Sequence, residues 1–565
     1  MTRKLTGGQA AVEALKAEGT RHVFGLIGSA TMEMFDALYD AQDEISFIGV
    51  RDERTGTHMA DGYARASGQA GVFLAGQNGP GSTNLVTGLA QAKAAFSPLV
   101  CIAGHLSTEH LYRDAFQEVD QQRLFGSVTK KTWTAPSTAR VPEMVREAFR
   151  TALSPRQGPV QLNLPRDVLS GTADLGASDA FLRPQRHRAF SVPSAPDSAV
   201  EQAAQMLSNA SQPVIVVGGG IKNTRAQDEA LALASAIGCP IVSSPGHGDA
   251  IAHSHPLNAG QMGPRGNPVA SRLVKEADVI LALGTRLGFN STFFSYDNIN
   301  RDAAIIQVEI EPTAIGRFFP IALGIWADAP QFARQLTAQV STNAQIEAWT
   351  QHFQAERQGC LAQRDADADT SHPTQPSGLF KALRQVIPAD AAITMDAGTL
   401  CLQATDAMAY GGPGSLFTPL DFGLVGFSFA CGLGVKLAQP QRPVVSLMGD
   451  GGFGMTLSEL STAVQHGINS VTVVMNNQCW GAEKAYQRDF FGERYIGADI
   501  SNPDFAAVAE LYGARGFRAD KLSDVNGAVE AALACGKPAV VEVAVDPAAL
   551  YSFRRDSFKH RASDK

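Results

Sequence analysis

MGDGGFGMTLSELSTAVQHGINSVTVVMNNQCWGAEK, residues 448–484, carries a buried strand ending at Gly449-Asp450-Gly451, then a helix, then a second strand ending at Asn476-Asn477. Parallel strands joined through a helix end on one edge of their sheet, and open parallel sheets collect ligands beyond the carboxyl ends of their strands. Asp450 and Asn477 therefore converge on that edge. A carboxylate and an amide oxygen are hard donors of the kind that hold Mg²⁺ alongside carbonyls, water and phosphate oxygens, and the glycines let backbone approach such a ligand closely. Taken singly each is an ordinary turn residue, Asp capping a helix and Asn closing a strand.

The same alternation runs outward through the chain. HVFGLIG (22–28), ISFIGV (45–50), AGVFLAG (70–76) and SPLVCIAG (97–104) predict a first domain over 1–185. After a Pro-rich passage at 176–198, PVIVVGGG (213–220), CPIVSSPG (239–246), ADVILALGTR (277–286) and AAIIQVEIEP (303–312) predict a second over 190–345. A stretch rich in Gln, Asp, Ser and Thr, from about 341 to 376, reads as a linker, and AAITMDAG (391–398), PVVSLMGDGG (443–452), SVTVVMNN (470–477) and PAVVEVAVD (538–546) predict a third domain over 375–565. The fold class is α/β, three doubly wound domains with parallel sheets. The opening MTRKLTGGQAAVEALKAEG reads as a capped amphipathic helix.

Composition narrows the function classes. With 44% hydrophobic and 18% charged residues the 565-residue chain is an ordinary globular protein. A net charge of -8 without a basic run disfavours nucleic acid and anionic membrane as partners. Seven cysteines, scattered at 101, 239, 360, 401, 431, 479 and 535, suit reduced thiols in a cytoplasmic protein. The N-terminus lacks a signal-peptide core, and no apolar run reaches the ~20 residues of a membrane span.

Other segments carry chemistry beside Asp450 and Asn477. In FIGVRDERTGTHMADGYARASG (47–68) a strand delivers Glu53 to a helix N-terminus; GQNGPGSTN (76–84), FQEVDQ (116–121), Asp396-Ala397-Gly398-Thr399 and FGLVGFSFACGLG (422–434) are further glycine-rich or polar junctions. Together with the Gly-Asp-Gly and Asn-Asn pair, they resemble the thiamine-diphosphate enzymes of the pyruvate-oxidase and acetohydroxyacid-synthase type along essentially the whole chain. The resemblance implies pyrimidine, central and diphosphate domains in that order. It makes Asp450, Asn477 and the main-chain carbonyl of Cys479 the Mg²⁺ ligands, with Gly449, Gly451 and Gly452 against the diphosphate and Asp396, Gly398 and Thr399 touching it from the other side. Glu53 is implied to hold a proton against N1′ of the aminopyrimidine, favouring the imino tautomer whose exocyclic nitrogen deprotonates the thiazolium C2. Gly79 and Asn78, the latter where Ser is commoner, are implied beside the pyrimidine, and Gln117 at the reacting centre. Gly423 would accept from the 4′-amino group through its carbonyl, and Val425, small for the task, would wedge the cofactor into its bent form. The active sites would lie between subunits of a homodimer or homotetramer. FAD occurs in several relatives, but GGGIKN (218–223) is too weak a glycine signal to assign it.

A narrower similarity, to sulfoacetaldehyde acetyltransferases, is carried by FGLIGSATM (24–32), QNGPGSTN (77–84), FQEVDQQRLF (116–125), IGRFFPIALGIWAD (315–328), WGAEKAYQ (480–487) and FRRD (553–556). It implies acyl transfer on a small anionic aldehyde, sulfoacetaldehyde and phosphate giving acetyl phosphate and sulfite. Lys484, Arg554 and Arg555 are then candidates for the anion, since guanidinium and ammonium groups match sulfonate and phosphate. The chain departs from those enzymes at Arg51-Asp52, at AGHLSTEHLYRDA (103–115) and at NNQCW (476–480). The alternative is a 2-oxo acid decarboxylase or carboligase resembling acetolactate synthase or benzaldehyde lyase. A catalytically silent scaffold is a third reading, against which the retention of both Glu53 and the metal pair argues.

Overall fold

The computed structural model describes residues 2–176, 180–188, 191–554, 557, 558, 560 and 561. Three six-stranded sheets, parallel throughout, succeed one another along the chain. The first has the spatial order Ser46–Gly49, His22–Leu26, Gly71–Ala75, Leu99–His105, Val160–Pro165, Lys131–Thr134. The third runs Leu416–Phe417, Ala392–Met395, Val444–Gly449, Val471–Asn476, Ala539–Ala544, Arg515–Ala519, which is the same winding. The first and third domains are thus one kind of unit used twice. The middle sheet differs, with Asn258–Gln261, Ile241–Ser243 and Pro213–Val217 on one side of its reversal point and Val279–Leu283, Ala304–Glu309 and Leu323–Trp326 on the other.

Most strands legible in the sequence are buried on both faces, the edge strand Ser46–Gly49 being an exception. Most strands it did not announce lie at sheet edges, such as the partly exposed Lys131–Thr134 and Arg515–Ala519. Val160–Pro165 is fully buried, but Gln161 and Asn163 interrupt its apolar run. Two expectations are corrected. The chain opens with a strand, Thr2–Thr6, paired antiparallel to Thr172–Gly176, and the helix Gly7–Ala17 follows with Thr6 as its cap in a capping box. The stretch read as a second linker holds the 23-residue helix Ala344–Ala366, which buries Ile346, Trp349 and Phe353 against the central domain. Those residues make a narrow apolar stripe in an otherwise polar sequence, so the composition of a linker hid a helix.

The outer domains touch through helix Glu53–Ser67, which packs on helix Ser428–Ala438 and joins one shared core. The approach is backbone to backbone: a Cβ on Gly62 would run into the Cys431 carbonyl and one on Gly434 into that of Met59. Among the described residues no helix is long and apolar enough to cross a membrane, and all seven cysteines are unpaired.

Candidate active site

In the third sheet Ala392–Met395 and Val444–Gly449 are parallel neighbours ending on one edge, but the chain goes on from the first to Leu416–Phe417 on one side and from the second to Val471–Asn476 on the other. The loops after them diverge and open a crevice at the strand ends, the place where doubly wound sheets bind ligands. Here it widens into a cavity of about 1260 Å³ lined by Asp396, Gly398, Thr399, Gly423, Val425, Gly449, Asp450, Gly451, Gly452, Asn477 and Cys479. All the residues expected at the diphosphate and metal end are therefore brought together.

The glycines explain the shape of this wall. A Cβ on Gly398, Gly423 or Gly449 would meet nothing within 4 Å and would intrude on open space, while Gly398 and Gly423 also hold φ of +110° and +77°. Gly452 carries the opposite constraint, since a Cβ there would collide with the Asp396 carboxylate. That carboxylate is occupied, accepting from the Gly426 and Phe427 amides at 2.9 and 2.8 Å. Asp396 therefore braces the 423–427 loop, and burial lifts its pKa to about 6.

Asp450 opens the helix Asp450–Gly454 and is 2% exposed. Burial raises its pKa, opposed by the Asn502 amide, which donates to Oδ2 at 2.7 Å. Asn502 also donates to Asn476 Oδ1 at 3.2 Å, and Asn476 donates to buried Glu542 at 2.7 Å. This relay from Glu542 to Asp450 was not foreseen. Its one sequence signal was a lone acid inside the apolar run PAVVEVAVD. Burial pushes the Cys479 thiol up to about 11, so the sulfur stays protonated and a contribution from this residue falls to its carbonyl. Among the described residues no three His, Cys, Asp or Glu side chains gather as a metal site. What the crevice offers is one carboxylate, one amide and a main-chain carbonyl, a donor set suited to a hard cation that shares its shell with phosphate oxygens. The open glycine wall and these donors fit Mg²⁺ and a diphosphate.

Glu53, Asn78, Gly79 and Gln117 form a second cluster outside that cavity. Glu53, 6% exposed, starts its helix beyond the Asp52 cap and accepts from Asn84 Nδ2 at 3.0 Å. Asn78 donates to the Gln117 carbonyl at 3.0 Å, and a Cβ on Gly79 would come within 2.7 Å of the same oxygen. Gln117 holds a left-handed φ of +64° at this junction. Asn84 escaped notice in the sequence although it closes the quoted GQNGPGSTN segment.

The anion candidates separate. Lys484 does not line the cavity and is paired with Asp499 at 2.5 Å, because its helix turns it toward the 499 bridge that closes on Cys479. Arg554 does line the cavity, its guanidinium 5.2 Å from the Phe289 ring. Arg555 lies outside the described residues. Sequence reasoning missed Arg265, which lines the same wall between the rings of Phe293 and Phe553, at 5.3 and 4.9 Å. The cavity continues to the reversal point of the middle sheet, where Gly219, Gly220, Gly284 and Arg286 line it. Lys222 of GGGIKN turns away and is buried against Asp249 at 2.8 Å, and Asp249 in turn accepts from the Gly414, Ser415 and Leu416 amides, tying the central to the third domain.

Comparison with known proteins places three family matches along the chain. Residues 5–124 match the thiamine pyrophosphate enzyme N-terminal TPP binding domain, 200–336 the central domain, and 396–543 the C-terminal TPP binding domain. The chain is 32% identical to a sulfoacetaldehyde acetyltransferase of Alcaligenes xylosoxydans xylosoxydans, over 98% of this chain and 95% of that protein. It is 33% identical to one of Castellaniella defragrans, over 98% and 96%. Acetolactate synthase isozyme 2 large subunit of Escherichia coli (strain K12) is 31% identical, over 96% of each.

Proposed function

Because the chain belongs to the thiamine pyrophosphate enzyme family, we propose that it is an acyltransferase converting sulfoacetaldehyde and phosphate into acetyl phosphate and sulfite, with thiamine diphosphate and Mg²⁺ as cofactors. The observation that carries this reading is the near end-to-end similarity to sulfoacetaldehyde acetyltransferases. Arg265 and Arg554 on the cavity wall support it, since a substrate that is itself an anion must meet a second anion in one site. The reaction balances internally: the C–S bond breaks, the aldehyde carbon rises to the acyl level as its neighbour falls to a methyl group, and phosphate oxygen closes the new C–O bond.

Bound thiamine diphosphate supplies a carbon nucleophile that can also hold the electron pair of the aldehyde carbon. The rest is done by the chain. Asp450, Asn477 and the Cys479 carbonyl would hold Mg²⁺, Gly398, Thr399, Gly449, Gly451 and Gly452 would line the diphosphate, and Asp396 keeps the 423–427 loop in place. Within that loop the Gly423 carbonyl would accept from the amino group and Val425 would pack against the cofactor. Glu53 holds a proton at the aminopyrimidine ring nitrogen, with Asn84 fixing its carboxylate, while Gln117 faces the reacting carbon. Because the Glu53 cluster lies outside the cavity, we assign each working site to two chains, one lending Glu53 and the other Asp450. The unit is then a homodimer or a homotetramer, working in a reducing cytoplasm.

A second reading, carboligation or decarboxylation of a 2-oxo acid, is favoured by the comparable similarity to acetolactate synthases. The two are separated by incubating purified holoenzyme with sulfoacetaldehyde and with pyruvate, each with and without phosphate, and identifying products by mass. Acetyl phosphate and sulfite, formed only when sulfoacetaldehyde and phosphate are both present, are expected. Turnover of pyruvate to acetolactate, with sulfoacetaldehyde untouched, overturns the acyltransferase reading.

A further inference from the structure

Glu459 is a fully buried carboxylate that none of the steps above uses. It sits in the third domain, in the 3-10 turn Leu457–Glu459 that follows the Asp450–Gly454 helix, yet its partners belong largely to the first domain. The Arg51 amide donates to Oε1 at 3.0 Å and to Oε2 at 3.3 Å, and the Thr55 hydroxyl donates to Oε1 at 2.5 Å. From its own side the Thr462 hydroxyl donates to Oε2 at 2.6 Å. Arg51 and Thr55 flank Glu53 two residues before and two after. We propose that Glu459 is a positioning residue for Glu53, holding the turn that delivers it by straddling the Arg51 amide and gripping Thr55.

The surroundings support a built clamp. The Gly49 amide donates to His466 Nε2 at 3.2 Å, the Arg51 guanidinium donates to Ser461 Oγ at 3.0 Å, and Arg54 Nη2 donates to the Met455 carbonyl at 3.2 Å. The segment following the metal-binding turn thus encloses residues 49–55. Within it Glu459 is the one carboxyl group, and the Arg51 amide and the Thr55 and Thr462 hydroxyls all donate to it. Burial raises its pKa and the nearby Asp52 charge adds to the rise, opposed first by Thr462, then by Thr55 and the Arg51 amide. Deleting it would take from the Arg51 amide and the Thr55 hydroxyl the acceptor they share.

The inference rests on the proposed role of Glu53, and the experiment separates the two. Proton–deuterium exchange at C2 of the bound cofactor, and cofactor affinity, are measured for the Mg²⁺ holoenzyme of the wild type, Glu53→Gln, Glu459→Ala, Glu459→Gln and the double variant Glu53→Gln/Glu459→Ala. Glu459→Ala is expected to slow exchange about tenfold or more, the scale on which small misplacements of a working group act, with cofactor affinity little changed. Glu459→Gln should recover most of that rate, because its amide oxygen still accepts from Arg51 and Thr55 while the Thr462 hydroxyl turns to accept. The double variant should exchange no slower than Glu53→Gln alone, since a residue acting through Glu53 has nothing left to position. In the apo chain, backbone deuterium uptake over residues 50–56 should quicken in Glu459→Ala. Slow exchange in Glu53→Gln beside wild-type exchange in Glu459→Ala, or multiplied losses in the double variant, overturns the inference alone. Wild-type exchange in Glu53→Gln overturns the Glu53 role and the inference with it. If Glu459→Ala does not fold, Thr55→Val removes the grip from the opposite side, and unaltered exchange there overturns the proposal.

Discussion

Asp450 and Glu53 are both buried carboxylates at the start of a helix, yet their neighbours give them different work. Each accepts from one asparagine amide, Asn502 for Asp450 and Asn84 for Glu53, but Asp450 lines the cavity beside Asn477, which suits the proposed hold on a cation, whereas Glu53 lies outside it beside the Gly79 turn, which suits the proposed hold on a ring proton. Their loss should therefore separate binding from chemistry. Asp450→Ala is expected to abolish Mg²⁺-dependent binding of thiamine diphosphate, read by titration. Glu53→Gln is expected to bind with moderate loss while C2 exchange slows about 10²–10⁴-fold, the usual effect of removing an acid–base partner. Asn502 donates to the Asp450 oxygen without touching the cavity, so it would back that carboxylate behind the proposed Mg²⁺. Asn502→Ala should weaken Mg²⁺ affinity about 10–100-fold, measured by the Mg²⁺ dependence of cofactor binding. Asp450 and Asn477 were legible in the sequence because a strand end followed by glycine marks a ligand edge. Asn502 was not, because a lone Asn in a loop carries no period and no partner until the chain folds.

At the scale of elements, one substitution has opposite signs on two helices. Gly434 lies in Ser428–Ala438 where that helix crosses Glu53–Ser67, and a Cβ there would run into the Met59 carbonyl. Gly527 lies on the exposed face of Leu522–Ala534, where a Cβ would meet nothing within 4 Å. Gly434→Ala should destabilise by ~1–3 kcal/mol through overpacking, and by more if the helices cannot part. Gly527→Ala should stabilise by ~0.4–1 kcal/mol, since alanine restricts the unfolded chain and favours a helix. Midpoints of urea unfolding followed by circular dichroism decide both. Sequence pattern alone treats the two positions alike, as glycines inside helices. Likewise, Ala344–Ala366 looked like a linker because only Ile346, Trp349 and Phe353 mark its buried stripe.

For the whole molecule, the arrangement of sheets decides how many chains a site needs. The third and middle sheets open their reversal points into one cavity, whereas the Glu53 cluster of the first domain lies elsewhere. If each site joins Glu53 of one chain to Asp450 of another, two inactive variants should complement. A mixture of Glu53→Gln and Asp450→Ala chains, unfolded and refolded together, should regain activity, because a mixed dimer contains one site with both residues intact. Each variant refolded alone should stay inactive, and light scattering should show at least a dimer. Activity from a monomer, or no recovery in a well-mixed dimer, counts against a shared site.

By itself the sequence determined the α/β class, the division into three parallel-sheet domains and the edge on which Asp450 and Asn477 meet. These follow from local pattern, since continuous apolar runs and glycine-closed strand ends depend only on neighbours in the chain. The tertiary structure alone decided that the first and third sheets share one winding, that Lys484 is turned to Asp499 while Arg265 faces the cavity, and that Glu459 reaches across to the Glu53 turn. Each of those depends on which distant segments are packed together, and a buried carboxyl group shows its partners only when the donors from another domain are in place around it.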